Sequence, residues 1–133
     1  MSAATRLELM LEPRLSSTER LLDALHGLPC GRSCVAEEAP GIALAAAEAL
    51  TNIVRHGLPL RAIALSIEVH DDRVVVELRD SGRAFDMCAG AAQLPPDPLA
   101  EHGRGLFLIR ESVDACDYRR VGAENIHRLE KRI

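Results

Sequence analysis

Aromatic side chains are nearly absent: the 133-residue chain has no tryptophan, one tyrosine and two phenylalanines. Its core must be aliphatic, and stacking of unpaired bases on aromatic platforms is disfavoured. Basic clustering is missing as well. The net charge is −4, and the arginines are scattered rather than lined along one face, so the counterion-releasing surface that nucleic acid requires is not expected. No apolar run approaches the length of a membrane-spanning helix. The start, Met1-Ser2-Ala3-Ala4-Thr5-Arg6, lacks the basic segment and apolar stretch of a secretory leader. The expected location is the cytoplasm, without membrane attachment. In that compartment Cys30, Cys34, Cys88 and Cys116 are expected as free thiols. Cys30 and Cys34 stand four apart without a matching second pair, which leaves zinc unsupported.

What is present suits one small domain over residues 1–133, with 47% hydrophobic and 27% charged residues. Leu7, Leu9 and Leu11 alternate as in a short strand, and Ser16 or Ser17 is placed to cap a helix running through Leu28. Residues 28–41, rich in Gly, Pro, Cys and acids, read as a loop. A helix follows, its apolar stripe formed by Ile42, Ala46, Ala49, Leu50, Ile53 and Val54, and Gly57 with Pro59 supplies the stop. Ile63, Leu65, Ile67 and Val69 alternate, as do Val74, Val76 and Leu78, with His70-Asp71-Asp72-Arg73 as the hairpin turn between them. Pro95, Pro96 and Pro98 forbid a regular helix between Met87 and Glu101, which reads as a surface loop or a lid. Leu106, Ile109, Val113 and Cys116 mark another helix, and residues 117–121 and 126–132 a terminal hairpin. The expected class is α+β: a two-layer sandwich with helices on one face of a mixed, mostly antiparallel sheet.

Three segments carry chemistry. Glu48, Asn52 and His56 recur at four-residue steps and form a polar row on the second helix. Asp80-Ser81-Gly82-Arg83-Ala84-Phe85-Asp86 follows a strand, placing a carboxylate acceptor at a sharp turn where Gly82 leaves room for a flat ring. Gly103-Arg104-Gly105-Leu106 opens a helix, where unpaired N–H donors favour phosphate oxygens. Arg55 or Arg104 could add charge there, and His102 could touch phosphate, although solvated roles serve all three equally well.

In this order and spacing the three segments resemble the N box and the two glycine boxes of the GHKL ATPase superfamily, and within it the bacterial anti-sigma-factor serine/threonine kinases. That resemblance implies the Bergerat-type ATP-binding fold, with ATP and Mg²⁺ as cofactors. It implies Asn52 as the Mg²⁺ ligand, Glu48 as general base, and Asp80 as acceptor from the adenine amino group. Arg55, His56, Gly82, Phe85, Gly103, Arg104, Gly105 and Leu106 would complete the nucleotide-binding set. The chain departs from the family pattern at Ala84, where a second glycine is usual, and at Gly122-Ala123-Glu124-Asn125, which has no threonine before the last strand. The implied partners are an anti-sigma-factor antagonist, a sigma factor or both, with a homodimer possible. Three functions are consistent with the residues: a protein kinase acting on that antagonist, a nucleotide-binding partner switch that transfers no phosphate, and an interaction domain with a decayed site. Glu48 favours the first, since a pure binder needs no base.

Overall fold

The computed structural model describes residues 4–58, 61–88 and 104–133. Strand β1 (Thr5–Leu11) leads to helix α1 (Ser17–Gly27), a short hairpin of β2 (Pro29–Cys30) and β3 (Ser33–Cys34), and a single turn, α2 (Val35–Glu38). Helix α3 (Pro40–Asn52) runs into a π-helical turn, Ile53–Gly57. Then come β4 (Ile63–Val69), β5 (Arg73–Asp80), α4 (Arg104–Ser112), β6 (Ala115–Val121) and β7 (Glu124–Arg132).

The five long strands form one sheet in the order β1-β4-β5-β7-β6, and all four pairings are antiparallel. This is the α+β sandwich expected from the alternation. Period-two burial places Ile63, Leu65, Ile67 and Val69 of β4, and Val74, Val76 and Leu78 of β5, on the face covered by the helices, while Val75 is buried as well. Against them pack Leu21 and Leu25 of α1, Ile42, Ala45, Ala46, Ala49 and Leu50 of α3, and Ile109 of α4. Burying each large aliphatic side chain contributes roughly 1.5–3 kcal/mol, so the aromatic-poor core is sufficient. The opposite face carries charge pairs such as Arg6–Glu68 and Arg79–Glu77, and a groove of about 400 Å³ lined in part by Arg6, Glu8, Met10 and Arg79.

Four details depart from the sequence reading. Residues 28–41 are not a plain loop: they hold β2, β3, α2 and the start of α3, because Val35 and Cys30 are buried and anchor the segment. Neither serine caps α1 through its side chain: Ser16 makes no such bond, and the Ser17 hydroxyl donates to the Glu12 carbonyl at 2.7 Å. The helix bearing the polar row ends at Gly57 as read, but its last turn is π-helical, and Leu58 rather than the glycine takes the left-handed conformation (φ +50°). Cys88 and Cys116 are joined in a disulfide, with Cα atoms 5.6 Å apart, whereas Cys30 and Cys34 are free thiols. Cys116 faces the helices opposite Leu129 in the ladder, and no sequence spacing could have paired it with a residue 28 positions away.

Helices α3 and α4 meet at Gly41, where a Cβ would lie 2.1 Å from the Ser112 carbonyl oxygen. The contact tolerates no side chain without backbone movement. Gly41→Ala is therefore expected to destabilise the fold by roughly 1–3 kcal/mol despite alanine's better helix propensity. A denaturant midpoint equal to or above that of the wild type would contradict the close approach.

Candidate active site

Asp80 ends β5, and the alternation that buries Val74, Val76 and Leu78 turns its carboxylate into the same interior. Its side chain is 1% exposed, and a buried carboxylate is tolerable only when donors replace its water. Three do. Oδ1 accepts from the Gly82 N–H at 2.8 Å and from the Asn125 side-chain amide at 3.0 Å. Oδ2 lies 2.8 Å from Nε2 of His127, whose side chain is also 1% exposed. Asn125 sits directly across from Asp80 in the β5–β7 ladder and His127 two residues further on, so the alternation of β7 delivers both to one face. The Asn125 amide is oriented in turn: its oxygen accepts from the Tyr118 hydroxyl at 2.6 Å and from Arg120 Nη1 at 2.8 Å. Its nitrogen also lies 2.9 Å from the Arg83 carbonyl.

Burial by itself would raise the Asp80 carboxyl. Hydrogen bonds from His127, Asn125 and the Gly82 N–H outweigh it, with a coulombic contribution from His127, and the group titrates below its ordinary 3.8.

The glycine box is clasped to the end of the polar-row helix. A Cβ on Gly82 would meet the Gly57 carbonyl oxygen at 2.3 Å, so the missing side chain makes room for backbone. The Arg83 N–H donates to that carbonyl at 3.0 Å, and Arg83 Nε to the His56 carbonyl at 2.5 Å. The His56 ring stands 5.7 Å from the Phe85 ring, which packs partly buried against the core. Glu48, Asn52, Arg55, His56, Asp80, Gly82 and Phe85 are thus gathered on two elements that touch.

Glu48 and Asn52 lie on successive turns of α3, both half-buried; after Asn52 the helix widens into the π turn that carries His56 beside Phe85. Arg55 is exposed. The Asn52 Nδ2 is buried and has no hydrogen-bond partner among the described residues. In the second glycine box, the described part of helix α4 covers Arg104–Ser112, and Leu106 packs half-buried against the core. Gly103 and His102 lie outside the described residues, as does most of the 87–101 segment; its first residue, Met87, is fully buried in the core. Ala84 takes the place of the usual second glycine without a positive φ.

Sequence reasoning missed Asn125, His127, Tyr118 and Arg120. The first was noticed only as a non-threonine. A histidine at an inward position of the strand beside Asp80 was the available signal, and reading it required the strand order.

A buried carboxylate held by three donors, on a loop clasped to the end of the helix that bears Glu48 and Asn52, sits in an α+β sandwich of one class. Residues 11–131 match the histidine kinase-like ATPase domain, and the chain belongs to that family. Among curated relatives it is similar to serine-protein kinase RsbW of Staphylococcus epidermidis, with 37% identity over 82 residues covering 53% of this chain and 52% of that protein. The serine-protein kinase RsbW of Halalkalibacterium halodurans is 36% identical over 84 residues, 57% of this chain and 52% of that protein. That of Bacillus pumilus is 30% identical over 105 residues, 70% of this chain and 65% of that protein. The chain spans about half the length of the first two relatives it matches. No helix among the described residues is long and apolar enough to cross a membrane.

A depressed carboxyl stabilises the fold above its unfolded-state value and loses that contribution as pH falls through its folded-state value. Below about pH 4, wild-type stability should therefore fall more steeply than that of Asp80→Asn, which has no carboxyl to protonate. Denaturant titrations between about pH 6 and pH 3 read both slopes, and parallel curves would contradict the assignment.

Proposed function

We propose that the chain is an ATP-dependent protein serine/threonine kinase that phosphorylates a small regulatory protein, an anti-sigma-factor antagonist, and so acts as an anti-sigma regulatory factor in the cytoplasm. The observation that carries this reading is the clasp between the two motifs. It ties the end of the helix that bears Glu48 and Asn52 to the loop that fixes the buried Asp80. The names of the relatives support the same activity.

In this reading Asp80 accepts from the adenine amino group, and the second glycine box, Gly103-Arg104-Gly105, would present N–H donors to the phosphates. Asn52 would hold Mg²⁺ through its carboxamide oxygen. Its Nδ2 is unpartnered among the described residues, leaving the group with unused polar capacity. Mg²⁺ keeps several waters and takes one or two protein oxygens beside substrate phosphates, so a single carboxamide suits it. No cluster of three or more His, Cys, Asp or Glu residues placed for a metal exists among the described residues. When bound, the ion would neutralise charge on the phosphates.

Glu48 takes the proton of the serine or threonine hydroxyl as that oxygen attacks the γ-phosphorus; the bond to the β,γ-bridging oxygen breaks, and ADP leaves. Glu48→Gln keeps size and polarity but accepts no proton. Nucleotide and partner binding should survive while phosphate transfer falls by roughly 10²–10⁴. Transfer at the wild-type rate would remove Glu48 as base. A wild-type protein that binds ATP and partner tightly yet never transfers phosphate would make the chain a nucleotide-dependent switch instead.

The metal ligand is tested separately. Asn52→Ala should weaken ATP binding in magnesium far more than in chelator, because only with the ion present does the carboxamide act. Calorimetric curves showing undiminished magnesium dependence would reject Asn52.

A further inference from the structure

We infer that His127 is a specificity-determining residue of the nucleotide site: by occupying one lone pair of Asp80 Oδ2, it leaves the carboxylate a single acceptor direction, matched to one exocyclic amino group. The inference rests on the proposal that Asp80 reads the base.

An ionised carboxylate has about four acceptor directions. Gly82 N–H and the Asn125 amide fill both on Oδ1, and His127 Nε2 fills one on Oδ2. What remains is one direction, on Oδ2. The imidazole is held against rotation. The Tyr118 ring packs beside it, tilted by 35° with centroids 5.3 Å apart, and that tyrosine's hydroxyl also fixes Asn125. His127 Nδ1 is buried without a hydrogen-bond partner among the described residues. A proton there would be buried with no acceptor, so the network assigns the hydrogen to Nε2, donating to Asp80. An ionised Asp80 fixed in this way offers no hydrogen, and it rejects a base edge that presents an acceptor. Removal of His127 would give Oδ2 a second open direction, free for water or a rotated carboxylate, and the match to one amino group would be lost.

The effect is read as a preference rather than as an affinity. Calorimetry in Mg²⁺ compares ATP with purine riboside triphosphate, which carries hydrogen in place of the amino group, on the full chain. The wild type should prefer ATP by about tenfold or more, the worth of one charge-assisted hydrogen bond. His127→Leu should reduce that preference to about threefold or less. His127→Gln, whose amide nitrogen can donate from near the Nε2 position, should keep most of it. His127→Asn, too short to reach Oδ2, should behave as His127→Leu and serves if the leucine variant does not fold. Equal weakening of both nucleotides with the preference intact in His127→Leu or His127→Asn would overturn the inference and leave His127 a packing residue. A wild type that does not distinguish the two nucleotides would overturn the base-reading role of Asp80 itself, and this inference with it.

Discussion

A carboxylate with 1% of its side chain exposed is a strong constraint on any fold, because uncompensated charge in an interior costs several kcal/mol. The end of β5, the loop after it, and two residues of β7 are committed to compensating Asp80. The same bonds reach outward: Asn125 holds the Gly82 and Arg83 carbonyls, and Arg83 holds the end of the π turn. The loop after β5, the last hairpin and the helix bearing Glu48 and Asn52 are therefore one hydrogen-bonded unit. Removing one member of such a network leaves the others unsatisfied, which couples the stability of the fold to the geometry of the site.

The π turn gives that coupling its direction. It carries His56 to within 5.7 Å of the Phe85 ring, and its last carbonyl, that of Gly57, accepts from the Arg83 N–H. Local departures of this kind concentrate at functional sites. The turn is followed by the left-handed Leu58.

The strands were legible because period-two burial is written directly into Ile63–Val69 and Val74–Leu78, and α3 because its apolar stripe is long. The glycine boxes could be read because their residues are adjacent in sequence. What escaped was non-local. Asn125 and His127 gain meaning only once β7 is known to lie beside β5, and the Cys88–Cys116 disulfide only once β6 is known to pass close to Cys88. The helix end at Gly57 was readable from its local stop signal, whereas the π turn before it and the left-handed Leu58 after it carry no signal in the residues themselves.

The most direct test is a crystal structure with a non-hydrolysable ATP analogue and Mg²⁺. The adenine amino group is expected within hydrogen-bond distance of Asp80 Oδ2, with His127 Nε2 still on that oxygen, the ion on Asn52, and Glu48 facing the γ-phosphate. Nucleotide bound elsewhere, or bound here with Asp80 still sealed behind its three protein donors and touching no base atom, would contradict the assignment of Asp80 as the residue that reads the base.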